Sequence, residues 1–135
     1  MHSTRLARGL AILLAIAATG TIFTAQDQKS ASQFYMDYRA AFDKAKTVDE
    51  LLPFMSAESR KQVEATPAAD RAKMFELMKA MGKVTNLKIV KETKTADGAT
   101  LNAEGLDPDK KKTTGTISII KEGGAWKLGS ESWKS

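Results

Sequence analysis

Met74, Met78 and Met81 stand at i, i+4 and i+7, the spacing that lines side chains up on one face of a helix. Thioethers in such a stripe suit two kinds of chemistry. They can hold a soft ion such as Cu(I), or they can fill an irregular apolar gap. Phe75 and Leu77 flank the stripe, which is the setting of a core helix, so no metal site is expected here. Tyr35, Tyr38, Trp126 and Trp133 pair a large apolar ring with one polar atom. Such residues either fill a core or line a pocket. With Met74 and Met78 they are the candidate ligand-binding residues. Glu104, Asp107 and Asp109 lie close in sequence, but calcium needs six or more oxygens at regular loop spacing. They read as a charged turn.

Equally informative is what the chain lacks. It has no cysteine, which excludes disulfides, thiol catalysis, thiolate metal sites and a lipidated-cysteine anchor. Its one histidine is His2. Histidine triads, imidazole proton shuttles and ordinary zinc or copper sites are therefore unavailable to the rest of the chain. Phosphate loops place clustered glycines before a helix, whereas Gly123-Gly124 precedes a strand pattern. No residue is nominated as catalytic, and no cofactor is implied.

Charge points the same way. The formal charge is +5, of which Arg5 and Arg8 account for two, leaving +3 beyond residue 25. Nucleic-acid binding usually needs a concentrated basic stripe. The only run, Lys110-Lys111-Lys112, follows Asp107 and Asp109 and reads as a solvated loop. No nucleic-acid partner is expected.

Residues 1–25 read as a signal peptide. Arg5 and Arg8 form its positive region, and Leu10 to Ala18 its apolar region, which is short for a membrane span. Cleavage fits either at Ala18-Thr19-Gly20 or after Ala25. Alternatively the segment stays as an uncleaved anchor, which would be the protein's one tie to a membrane. Both readings place residues 26–135 outside the cytoplasm, periplasmic or secreted, as one domain.

Glycine divides that domain. None occurs from Thr21 to Met81, and seven follow from Gly82 to Gly129. Helices first and antiparallel strands after give an α+β class: N-terminal helices packed on a four-stranded, curved antiparallel sheet. Ser30 or Ser32 caps a helix to about Lys46, with Phe34, Tyr35, Tyr38, Ala41, Phe42 and Ala45 on one face. Thr47 and Glu50 form a capping box, and Pro53 keeps the next element short. Ser56 caps a third segment to about Glu64. Thr66 is expected to cap, and Pro67 to begin, a helix to Met81 that buries Met74, Phe75, Leu77, Met78 and Met81, with Gly82 left-handed at its end.

Strands follow over about 84–94, to Leu106, over 116–121 and to the C-terminal end. Asp97-Gly98 signals a type I′ hairpin turn and Gly123-Gly124 a second tight turn. In a regular last strand Trp126 and Leu128 face one side, and Glu131 and Trp133 the other. Both tryptophans line one cavity only if a bulge intervenes, which Gly129 could mark. If Trp126 lies in the core, its replacement by alanine costs about 3–5 kcal/mol.

This order, with Phe34-Tyr35-x-x-Tyr38 in the opening helix and Gly123-Gly124-Ala125-Trp126-Lys127-Leu128 near the end, resembles the nuclear-transport-factor-two-like superfamily, the SnoaL-like, cystatin-like cone, and its small exported members. The resemblance implies a sheet curved around the first helix and a pocket at the open end of the cone. That pocket would bind a small apolar ligand, host chemistry, or be filled by side chains. Enzymes of this kind use an Asp–His pair or a buried Asp with Tyr, and this chain has no histidine to match. The expected role is thus a non-catalytic exported domain that binds a small apolar ligand or an envelope protein. The alternatives are an interaction protein with a filled core, and a carboxylate-and-tyrosine enzyme of hydrolase or isomerase type.

Overall fold

The computed structural model describes residues 29–135. The segment read as a signal peptide, and His2 with it, lies outside the described residues. No helix among the described residues is long and apolar enough to cross a membrane.

Helix α1 spans Ala31–Lys44, and Ser30 caps it by accepting from the Gln33 N–H at 3.1 Å. A 3-10 helix over Val48–Phe54 follows. The Glu50 carboxylate holds its start by accepting from the Lys46 and Thr47 N–H groups at 2.6 and 2.9 Å. Helix α2 spans Ala57–Ala65 behind the Ser56 cap, and helix α3 spans Ala68–Met81. Strands β1 (Thr85–Lys94), β2 (Gly98–Leu106), β3 (Lys112–Glu122) and β4 (Ala125–Lys134) form one antiparallel meander in the order β1-β2-β3-β4. The class is α+β, with the helices on one face of the sheet.

Alternation decides which face. Ala99, Leu101 and Ala103 of β2 and Ile117 and Ile119 of β3 are buried against Phe34, Tyr35, Tyr38 and Phe42 of α1. The residues between them, Thr100, Asn102, Thr116 and Ser118, form a polar outer face. Both edges of the meander are blunted. Strand β1 carries two register shifts and Lys88, Lys91 and Lys94. The start of β4 is bridged by Met55 at Leu128.

Four expectations need correction. The Thr66 hydroxyl turns back to donate to the Gln62 carbonyl at 2.8 Å, so it ends α2. Pro67 is instead the capping position of α3, its carbonyl accepting the first helical bond from Arg71. Gly82 is not left-handed, its φ being −91°. Its want of a side chain has a packing reason, since a Cβ there would meet the Phe42 ring at 3.1 Å and the Met78 carbonyl at 2.8 Å. The β1–β2 hairpin forms, but Asp97 and Gly98 lack the positive φ of a type I′ turn. Gly98 is needed because the Ile119 carbonyl approaches within 1.9 Å of where a Cβ would sit. Gly123 and Gly124 do carry that geometry, at φ 58° and 81°. Finally, α3 buries only Phe75. Met74 and Met78 are half-buried, while Leu77 and Met81 are 60% and 75% exposed.

Candidate functional site

The site begins with one extra residue. The β3–β4 register shifts between Ser118 and Ile119, whose partners are Ser130 and Leu128, so Gly129 is the bulged residue. A single insertion moves every later side chain to the opposite face. Trp126 and Leu128 before it, and Glu131 and Trp133 after it, therefore all face the helices. Glu131 lies opposite buried Ile117, and Trp133 opposite Gly115. Gly115 is bare for a reason: a Cβ there would lie 2.8 Å from the Trp133 ring.

Turned inward, Glu131 meets α1. Its Oε2 accepts from the Tyr35 hydroxyl, from Arg39 Nη1 at 3.3 Å and from Trp133 Nε1 at 3.1 Å. Arg39 is itself buried, and its Nη2 donates to the Gly82 carbonyl at 2.6 Å. Tyr35 and Arg39 are one helical turn apart, so both reach the same carboxylate. This cluster links the start of the chain's core to its last strand and to the end of α3.

Burial pushes the Tyr35 hydroxyl well above its ordinary value, and the Glu131 charge adds to the effect. Tyr38 is raised by the same two causes, burial first. These are the chain's only tyrosines. Their contribution to stability is complete below about pH 10, where both states hold the proton, and is lost as pH rises toward their folded-state values. Above pH 10 the unfolded chain releases two protons that the folded one retains, so stability falls by about 2.7 kcal/mol per pH unit. Alkaline titration should show tyrosinate absorbance rising only together with loss of near-ultraviolet circular dichroism. Tyrosinate formation in the folded protein would contradict the burial of both rings.

Beside this cluster lies a cleft of about 490 Å³. One wall is β4 at Leu128, Gly129, Ser130 and Glu131, and the other is Gln62 and Val63 of α2, its capping Thr66, and Met74 and Met78 of α3. Tyr38 and Met55 form its floor. The volume is in the range of small-molecule sites, as is the mix of an apolar lining with a few fixed polar groups.

The sequence-nominated residues are divided by the structure. Tyr38, Met74 and Met78 share the cleft. Tyr35 is fully buried and touches the cleft's chemistry only through Glu131. Trp133 packs over Gly115 and holds Glu131. Trp126 lies elsewhere, at a hollow of about 690 Å³ lined by Lys29, Glu92, Lys94, Asp97 and Lys121 among others. There its Nε1 donates to the Lys29 carbonyl at 2.6 Å, and Lys121 Nζ lies 4.7 Å from the ring centroid. The bulge thus brings both tryptophans to one face without placing them in one cavity. Because Trp126 is only partly buried at the margin of the core, Trp126→Ala should cost about 1–2 kcal/mol, below the full-core value. Urea denaturation would measure this.

Glu131 and Arg39 were not nominated from sequence. The available signal was Arg39 itself, set one turn after Tyr35 and one before Phe42 in an otherwise apolar stripe. A buried arginine requires an acidic partner. Asp107, nominated with Glu104 and Asp109 as a charged turn, is used locally: its Oδ1 accepts from the Asp109 and Lys111 N–H groups at 2.9 Å, closing the β2–β3 loop. Among the described residues no three His, Cys, Asp or Glu side chains are grouped to hold a metal ion. Comparison of the chain with protein-family models, with curated proteins and with solved structures gives no match.

Proposed function

We propose that this chain is an exported, non-catalytic binding domain whose cleft between β4 and the α2–α3 pair takes a small apolar ligand. The observation that carries the reading is the meeting of Tyr38, Met55, Val63, Met74, Met78 and Leu128 around one opening. Methionine side chains adapt to varied shapes, which suits a site for apolar molecules. Export is supported by the charge and apolar run of residues 1–25. The element order supports a place among the nuclear-transport-factor-two-like cones.

An envelope protein is the alternative occupant of the same cleft. Among the described residues the carboxylate of Glu131, beside Tyr35 and Tyr38, is the feature that favours an enzyme. Against that role, its Oε2 already serves three donors, and neither tyrosine ionises near neutral pH.

Native mass spectrometry of the domain purified from its own host tests the reading. A small molecule should copurify in stoichiometric amount and be lost from a Met78→Glu variant that still folds. Repeated recovery of the bare chain, with no apolar compound able to bind it, would overturn the proposal.

A further inference from the structure

Glu131 offers its two oxygens to different surroundings. Three donors, from Tyr35, Arg39 and Trp133, converge on Oε2. Among the described residues Oε1 has no hydrogen-bond partner, and it is not among the buried side-chain atoms left without one. It therefore keeps some exposure, and Glu131 is one of the residues that line the cleft. The carboxylate cannot swing away, because its other oxygen is held threefold. Of the other polar groups on the cleft wall, the Thr66 hydroxyl donates to the Gln62 carbonyl and Ser59 accepts from the Ser56 hydroxyl, while the neutral hydroxyls of Tyr38 and Ser130 have no hydrogen-bond partner among the described residues. Gln62 sits exposed at the rim.

The geometry points to an occupant of defined chemistry: an apolar chain ending in a hydrogen-bond-donating head, an ammonium or hydroxyl group, received by Glu131 Oε1. This inference rests on the cleft being a ligand site, as proposed above. The apolar body lies against Met55, Val63, Met74, Met78 and Leu128. A ligand with an acceptor-only head, such as a fatty carboxylate, is disfavoured because it would face a carboxylate oxygen with no proton between them. The arginine beside Oε2 offsets the carboxylate charge, so donation, more than positive charge alone, selects the head. A preorganised acceptor of this kind discriminates strongly, since a head that cannot donate leaves it unpaired.

Calorimetric titration with three probes of one chain length, each below micelle formation, separates these features. They are decylammonium (cation and donor), decyltrimethylammonium (cation without a donor) and decanoate (anion, acceptor only). Decylammonium should bind at least tenfold more tightly than either of the others. In Glu131→Gln its advantage over decyltrimethylammonium should shrink at least fivefold. The ranking in the unaltered protein stands even if that variant does not fold. Equal binding of the two cations would overturn the inference while leaving an apolar site intact. Preference for decanoate would overturn it also. Failure of all three probes to bind would remove the apolar site itself.

Discussion

Arg39→Met is expected to destabilise the domain by about 3 kcal/mol, the cost of leaving a largely buried carboxylate without its counter-charge. The Arg39 side chain is 5% exposed and that of Glu131 16%, so water can rescue little of the loss. The same change strips the Gly82 carbonyl of its 2.6 Å donor at the end of α3. Adding Glu131→Leu should reverse part of this, because it removes the unpaired charge but leaves the Tyr35 hydroxyl and Trp133 Nε1 without their acceptor. A buried ion pair replaced whole by apolar groups of similar volume is often neutral or stabilising. The double variant is therefore expected to be more stable than Arg39→Met but to stay about 1–2 kcal/mol below the unaltered protein, since the Tyr35, Trp133 and Gly82 groups remain unpaired. Urea denaturation of the four proteins closes the cycle. Equal losses in the single and double variants would show that Arg39 stabilises by packing and not by its partner. If the pair contributes little to net stability, its retention fits a role in fixing the carboxylate at the cleft.

Phe42→Ala should cost about 4 kcal/mol, within the range for a buried aromatic. The Phe42 ring is 3% exposed and packs on Tyr38 with centroids 6.1 Å apart. Arg39 and Lys79 both place their cations over it, 4.8 and 5.0 Å from the centroid. Lys79 in turn donates to the Phe42 carbonyl. The ring is thus the main anchor between α1 and the end of α3, which otherwise buries only Phe75. Loss of the ring should loosen α3 before the sheet. Amide hydrogen exchange should rise over Ala68–Met81 in conditions where β2 and β3 stay protected. Uniform loss of protection would contradict the picture of a weakly held α3.

Local chemistry made much of the fold legible. Ser30 and Ser56 cap helices because a short side-chain oxygen can reach the N–H three residues on, which is a property of neighbours. The glycine partition separates helices from strands for the same kind of reason. Gly129 could be flagged as a bulge, which is one of the uses of glycine inside a strand pattern beside the close approaches found at Gly98 and Gly115. The misreadings have one common cause. Thr66, Gly82, Asp97 and Gly98 were assigned by local rules, yet tertiary contacts decide their roles: a hydroxyl turned to the preceding helix, an aromatic ring, and an approaching carbonyl. Leu77 and Met81 follow the helical stripe in sequence but overhang it in space.

The site was less legible than the fold. Tyr38, Met74 and Met78 could be nominated by type and spacing, and the cleft does unite them. The Arg39–Glu131 pairing spans 92 residues and depends on a bulge to turn Glu131 inward. No local pattern encodes such a partner. Trp126 and Trp133 are similar in sequence setting, yet one lies at a charged hollow and the other on the half-buried Glu131 carboxylate.

The methionine methyl groups give the most direct test of the cleft as a binding site. With carbon-13 labels on these methyls, titration with decylammonium should shift the resonances of Met55, Met74 and Met78, which line the opening, and leave Met36 and Met81, exposed elsewhere, in place. Shifts confined to Met36 and Met81, or none at any methionine as the probe approaches saturation, would contradict a ligand site between β4 and the α2–α3 pair.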